Sequence, residues 1–522
     1  MDRPWLKHIA EGNPKSIEIP DISLVELFRR STEQYTDHTA VTFFDKTYSY
    51  KELDEAIRHF TIKLSGIGIQ KNDRVAIMLP NCPQYPISFY AALSCGATIV
   101  QLNPMFQPAE LLHILNDSET KALIILDRLM PLFDSIKDRT SVQHVLAVGL
   151  DSDAEEPAPS GDMPHLTMDP TEDVAVIQYT GGTTGLPKGA MLTHRNIVAN
   201  TLQSAATSEV TTKKGREKVL TISPLFHVYG MTSGMSVTFY NGGNMILVPK
   251  FDVGQVVELI EKEKPTAFPG VPTMYIALLD YHRSRKFDLS CLESCSSGSA
   301  PLPLEVLDRF NEISGTTVAE GYGLSEASPV THRNPVRSLQ KNGSIGIPLP
   351  NTDSRIVDIA TGQETLSIGQ VGELVIRGPQ VMKGYWNRPE ETAVAIREGW
   401  LYTGDLAKMD EDGFFYIVGR KKEMILASGF NVYPIEVENV LYRYPAIREA
   451  AVFGVPDAYR GETVRAVVVL NEEVAEEELI AYCRTQLSAY KVPEAIIVVE
   501  ELPKTAVGKI LKRALQKQYA DL

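Results

Sequence analysis

Cysteine is scarce in this chain: five residues in 522, at positions 82, 95, 291, 295 and 483. They are too few and too scattered for a disulfide framework. Only Cys291 and Cys295 lie close together, with no second pair and no His-x-x-x-His beside them, so a zinc site is not expected. Long apolar runs are missing too. Nothing approaches the roughly 20 residues that span a bilayer, and the start, Met1 to Trp5, opens no apolar core of signal-peptide length. Positive charge is in deficit, with 51 Lys and Arg against 66 Asp and Glu and a net charge of −15. That argues against nucleic acid as the main partner, because phosphate backbones demand dense basic surface. A reduced, cytoplasmic protein without an integral membrane segment is the expectation. Peripheral contact with a membrane, and the choice between monomer and homodimer, stay open.

What is present is ordinary globular composition, 43% apolar and 22% charged, in 57.8 kDa. That mass exceeds one hydrophobic core, so at least two folding units are expected. The stretch the chain is organised around runs from Tyr179 to Gly189, Tyr-Thr-Gly-Gly-Thr-Thr-Gly-Leu-Pro-Lys-Gly. It follows an apolar, β-branched strand from Asp173 to Gln178. Gly181, Gly182, Gly185 and Gly189 let backbone N–H groups turn toward an anion. Thr180, Thr183 and Thr184 add hydroxyl donors, and Lys188 adds a mobile positive charge. This reads as a phosphate cradle, with a plain surface loop as the bland alternative. It is not of the Walker type, since Leu186 and Pro187 precede the lysine and Gly189 follows it.

Strands around Ala40 and Lys46, then Arg74 to Leu79, Ala97 to Leu102 and Lys121 to Leu126, alternate with helical spacers, as a mostly parallel sheet requires. A second succession follows the cradle: Val219 to Pro224, Asn244 to Pro249, Thr266 to Pro272 and Ser294 to Pro301. Two related α/β lobes facing each other would bring loops from both to one cleft. From Ser344 the rhythm changes to short strands and turns, a β subdomain. Beyond Gly419 to Glu423 lies a compact α+β unit. The expected fold class is therefore α/β, with a large N-terminal part over 1–420 and a small mobile C-terminal α+β domain over 421–522.

The cradle, Tyr322-Gly-Leu-Ser-Glu326, Tyr402-Thr-Gly-Asp405, Gly419-Arg-Lys-Lys422 and Pro503-Lys-Thr-Ala-Val-Gly-Lys509 follow one another in order. Together they resemble the motifs of the adenylate-forming superfamily, and Ser428-Gly-Phe-Asn-Val-Tyr-Pro434 resembles its long-chain fatty acyl-CoA synthetase branch. The resemblance implies an enzyme that uses ATP, Mg²⁺ and coenzyme A: a carboxylate attacks the α-phosphate, and the thiol then takes the acyl group from the adenylate. It implies that the 180–188 loop holds the β- and γ-phosphates, that Glu326 is the magnesium carboxylate, and that Ser325, where threonine is more usual, contacts the α-phosphate. Glu320, Gly321, Tyr322 and Gly323 on one side, and Gly298, Ser299 and Ala300 on the other, would enclose the adenine. Asp405 and Arg420 would hold the ribose, Lys509 would be the mobile catalytic lysine, and Lys422 the hinge about which the small domain turns.

By the same resemblance His227 and Tyr229 line the acyl pocket, His227 orienting or gating. Ser428, Gly429 and Lys250 would serve coenzyme A. Phe226 to Tyr229 offers no aspartate for a substrate ammonium, which favours an apolar acid over an amino acid. Gly230, Gly234, Gly242 and Gly243 with Met231 and Met235 give either a tunnel wall with thioether lining or plain helix packing. A medium- or long-chain fatty acid is the expected substrate. An aryl-CoA ligase of the coumarate type, a ligase loading a carrier protein, and a non-catalytic nucleotide-binding scaffold are the rival readings.

Overall fold

The computed structural model describes residues 3–150, 161–180, 187–457, 459–505 and 509–519. Strands β1 (Thr39–Phe43) and β2 (Lys46–Ser49) form a hairpin whose turn is Phe44–Asp45. Then β3 (Arg74–Met78), β4 (Thr98–Gln101), β5 (Ala122–Leu126) and β6 (His144–Val148) alternate with helices, and all four pair in parallel. β7 (Val174–Thr180) joins β4 in parallel, but β8 (Lys188–Thr193) turns back antiparallel on β7. β7 and β8 thus pair on either side of the glycine-rich stretch, and the helix His194–Ala206 starts only after β8. Thr193 caps that helix and Asn196 returns the favour to the Thr193 amide, a box whose loss costs about 1 kcal/mol.

The second succession is β9 (Lys218–Thr221), β10 (Asn244–Leu247), β11 (Ala267–Gly270), β12 (Ser294–Ser297) and β13 (Val318–Gly323), all parallel, with β14 (Val330–Arg333) and β15 (Ile347–Pro348) returning antiparallel. The opening hairpin belongs to this second sheet: Val41 pairs with Met245, in parallel. In sequence the hairpin belongs with the first succession, but its pairing crosses to the second sheet. β16 (Asp353–Val357) and β17 (Gly372–Arg377) begin a third sheet, which β20 (Trp400–Met409) and β21 (Phe415–Arg420) complete with the short β19 (Ile396–Arg397). Between them β18 (Gly384–Tyr385) leaves to pair with β8. The fourth sheet is built from β22 (Ile425–Ala427), β23 (Phe430–Val432), β24 (Ile447–Asp457), β25 (Gly461–Leu470) and β26 (Ala495–Val498).

The first two sheets share one core. Ile77, Ile99 and Ala175 from one sheet and Val41, Met245 and Leu247 from the other belong to a single buried cluster, bridged by helices Leu24–Gln34, Tyr50–Gly66 and Gln84–Ser94. Phe28 is central to it, with ring centroids 4.4 Å from Tyr90 and 5.2 Å from Phe239. Each sheet buries its outer face under its own helices, the doubly covered arrangement that makes these strands continuous apolar runs. The third sheet packs on Trp5, and the fourth is cored by residues of 425–515 alone.

Candidate active site

The carboxyl ends of β11, β12 and β13 open into a cleft of ≈2670 Å³, closed on the other side by β8, β20, β21 and the segment around Lys509. Ligand crevices in open α/β sheets form at this end of the strands. Tyr322 stands at the end of β13. Its hydroxyl donates to Asp405 Oδ2 at 2.6 Å, and His332 and Phe415 pack behind its ring. Gly323 is required beside it, because a Cβ there would lie 2.3 Å from the Pro329 carbonyl oxygen. Burial pulls His332 down to about 3, so it backs the site as a neutral ring.

Asp405 is buried on β20 and faces Arg420 across the β20–β21 ladder, with Arg420 Nε 3.2 Å from Oδ1. The Asp405 charge raises the guanidinium above its ordinary range. The turn that presents Asp405 depends on Gly404, whose φ of +72° suits glycine. Glu373 on β17 fixes that turn: it accepts the Gly404 amide at 3.1 Å and the Lys421 ammonium at 3.0 Å. No motif in the sequence marks Glu373, since the pairing is made across a sheet.

Glu320 lines the cleft and braces its wall. Its two oxygens accept the amides of Leu302 and Gly343 at 3.2 and 3.3 Å, tying down the strand end that carries Gly298, Ser299 and Ala300. Burial pushes its carboxyl up to about 7. Gly298 rests on the Tyr229 ring, Ser299 sits in the left-handed region at φ +70°, and both line the cleft with Ala300, Gly321 and Ser325.

Glu326, just past Ser325, receives the Tyr385 hydroxyl on Oε1 at 2.8 Å. The Tyr385 ring also carries Lys188, whose Nζ lies 5.4 Å from its centroid and 4.0 Å from Glu391 Oε1. Tyr385 therefore joins the loop lysine to the carboxylate. Below them Asp117 gathers the hairpin stem: Tyr179 and Arg388 bind its carboxylate at 2.6 and 2.8 Å, and the Trp386 indole donates to its carbonyl at 2.9 Å. Tyr385 and Asp117 were not read from the sequence, since no motif there marks them and the contacts join distant parts of the chain. Thr180 ends β7 with its hydroxyl 3.5 Å from the Lys188 carbonyl oxygen. Gly181, Gly182, Thr183, Thr184 and Gly185 lie outside the described residues.

Lys509 reaches the same cleft from the C-terminal unit. Burial first, then the Arg420 charge, lower its ammonium to about 8. Its backbone N–H donates to Thr505 Oγ1 at 3.1 Å. His227 is within its field, and burial together with the Lys509 charge holds the imidazole down at about 4. His227 Nδ1 accepts the Tyr229 amide at 3.3 Å, so the proton of the neutral ring sits on Nε2. Tyr229 in turn reaches Ser296 Oγ at 3.2 Å and the Gly270 carbonyl at 3.4 Å.

Three expected residues stand apart. Lys250 is exposed beyond β10 and does not line the cleft; Ser428 and Gly429 turn the β22–β23 hairpin, also outside it. Lys422 is exposed at the cleft rim. Of the two readings of the glycine–methionine stretch, helix packing holds: Met231 and Met235 belong to the shared core, and Gly230 to Ser236 form a π-helical turn packed at Pro224, whose carbonyl oxygen would lie 2.1 Å from a Cβ on Gly230.

Profiles of the AMP-binding enzyme and of the AMP-binding enzyme C-terminal domain match residues 28–386 and 436–509. The chain belongs to the AMP-binding enzyme family. It is 45% identical to a long-chain-fatty-acid–CoA ligase of Bacillus subtilis, over 99% of this chain and 98% of that one. It is 38% identical to a feruloyl-CoA synthase of an Amycolatopsis species, over 92% and 96%. Among solved structures it resembles ATP-bound MatB from Rhodopseudomonas palustris, with a TM-score of 0.88 and 31% identity over 96% of this chain and 99% of that one. The α/β architecture of a large first part and a smaller second is that of this family. No helix among the described residues is long and apolar enough to cross a membrane.

Proposed function

We propose that this AMP-binding enzyme is an ATP-dependent fatty acid–CoA ligase. In the first half-reaction a substrate carboxylate oxygen attacks the α-phosphorus of ATP and pyrophosphate leaves. In the second, the thiol of coenzyme A attacks the acyl carbonyl, gives up its proton, and AMP leaves. The observation that carries the reading is the convergence of Tyr322, Asp405, Arg420 and Lys509 on one cleft. The Bacillus relative's name supports the fatty acid as substrate over an aryl acid.

Each residue has work that its geometry suits. Asp405, held by Tyr322 and Arg420, offers carboxylate oxygen to a vicinal diol, which fits the ribose. The Tyr322 face packs the adenine between β13 and Gly298 to Ala300. Lys188 and the 180–185 loop take the β- and γ-phosphates, and Ser325 the α-phosphate. Lys509 places a positive charge where the attacking carboxylate and the α-phosphate meet, stabilising charge that gathers in the transition state. His227 donates from Nε2 to the acyl carboxylate and stays neutral throughout.

Among the described residues no group of three metal-ligating side chains occurs. Glu326 alone fits Mg²⁺, since this ion is commonly held by one or two carboxylates plus substrate phosphates. Bound there it would neutralise phosphate charge; Tyr385 fixes the Glu326 carboxylate for that task. For the second half-reaction we take residues 421–522 as the mobile unit, turning at Lys422. Rotation would withdraw Lys509 and bring Ser428 and Gly429 to the cleft for the coenzyme A thiol. Lys250 has the weakest claim to coenzyme A, because it is remote from the cleft in this arrangement.

Pyrophosphate release with ATP and Mg²⁺, measured for acetate, octanoate, palmitate, coumarate, benzoate and amino acids with and without coenzyme A, tests the reading. A maximum at octanoate or palmitate with coenzyme A-dependent AMP release is expected. A maximum at coumarate would overturn the fatty acid, and silence across the panel would overturn the enzyme.

A further inference from the structure

Beside Tyr229 the cleft is lined by β12, β13 and the end of the helix His194–Ala206, and this part is termed the channel. Its apolar lining, Val228, Val237 and Val330 among it, is interrupted by hydroxyls and an amide, those of Ser204, Ser208, Thr212, Ser233, Thr238 and Asn241. Ser204 Oγ and Asn241 Oδ1 are buried without a hydrogen-bond partner. Buried polar atoms are paired as a rule, so each such atom asks for an explanation.

The largest departure is Arg333, at the end of β14. It lines the channel and is half-buried. One terminal nitrogen donates to Thr207 Oγ1 at 3.1 Å, while Nε is buried with no partner. Among the described residues no carboxylate faces it: the groups whose charge it feels are the phenols of Tyr229 and Tyr275. A buried cation without a counter-charge is costly to keep. Arg333 enters the channel wall where its Cγ passes Gly321, and its guanidinium ends at Thr207, the residue after the helix His194–Ala206.

We propose that the channel accepts an acyl chain bearing a second carboxylate at its far end, and that Arg333 binds that group, so that α,ω-dicarboxylic acids are preferred substrates. The planar guanidinium suits a carboxylate in two-point contact. This deepens the ligase reading and rests on it. A channel with an apolar end would reject a diacid, because the second carboxylate would be buried unpaired; Arg333 reverses that preference.

The test uses the purified full chain and coenzyme A-dependent AMP release with diacids from succinate to hexadecanedioate, each against the monoacid of equal length. Wild-type kcat/KM is expected to favour the diacid at one or more lengths. Arg333→Met should lower the diacid-to-monoacid ratio of kcat/KM by about ten- to a hundredfold, the range of a lost hydrogen bond to a charged group, and Arg333→Lys should retain part of it. Thermal unfolding of each variant identifies loss of fold, and the Lys variant then carries the comparison. Activity on monoacids alone, or a ratio unmoved by either substitution, overturns the inference and leaves the ligase intact. No AMP from either series overturns both.

Discussion

Lys509 is the residue whose chemistry depends most steeply on pH. Burial and the Arg420 guanidinium bring its ammonium from an ordinary 10.5 to about 8. At about 1.4 kcal/mol per tenfold change, holding that proton costs the docked arrangement about 3 kcal/mol. An unfolded lysine keeps its proton to about 10.4. The docked state therefore gains stability as pH rises between about 8 and that value, and carries the full penalty below 8. In the proposed mechanism catalysis runs the other way, because adenylation would use the charged form of Lys509. We expect kcat/KM for ATP in pyrophosphate release to be level up to about pH 7.5 and to fall tenfold per unit above about 8. Thioester formation from preformed acyl-adenylate should lack this limb, because Lys509 is then withdrawn. Lys509→Arg should lower the rate by about a hundredfold through misplacement but abolish the limb, since arginine keeps its proton throughout. A limb that persists in Lys509→Arg, or a wild-type profile level to about pH 9.5, would refute the assignment.

Asp405→Ala removes the acceptor shared by Tyr322 and Arg420; the KM for ATP should rise by about ten- to a hundredfold, and an unchanged ATP dependence would remove Asp405 from the ribose site. Lys422→Pro restricts the backbone at the turning point, so adenylation should survive while thioester formation is lost; normal overall turnover would refute the hinge. Tyr385→Phe deletes the 2.8 Å bond to Glu326 and keeps the ring under Lys188. Pyrophosphate release at limiting Mg²⁺ should drop about tenfold and recover partly with excess Mg²⁺, whereas Tyr385→Ala, losing the ring too, should recover less. Equal behaviour of the two variants would show that the cation contact contributes nothing.

The residues proposed to touch ligand are legible in the sequence because they come in short runs with unusual composition. Tyr322-Gly-Leu-Ser-Glu326 and Tyr402-Thr-Gly-Asp405 are legible for that reason, and so is the βα alternation, whose strands recur within a few residues of their expected ends. Residues that hold those groups in place are not legible. Glu373 reaches Gly404 across a sheet, and Asp117 collects Tyr179, Trp386 and Arg388 from distant parts of the chain. The hairpin β1–β2 joins the second sheet because Val41 finds Met245, a pairing that local pattern cannot specify. Met231 and Met235 left two readings open in the sequence for a related reason. Alternation of glycine and methionine reports an unusual helix, and which face that helix turns to the core is decided by its neighbours.

The pairing of Gly384 with Met191 has a consequence for synthesis. Until the chain has grown past Tyr385, β8 is the open edge of its sheet, and an unpaired edge invites strands from other molecules. Translation must add roughly 200 residues in that interval, about 10 to 40 seconds at ordinary elongation rates. Nascent chains paused or truncated before Tyr385 would therefore display a partly built nucleotide site with an adhesive flank. Chaperone demand during production should be concentrated in that interval.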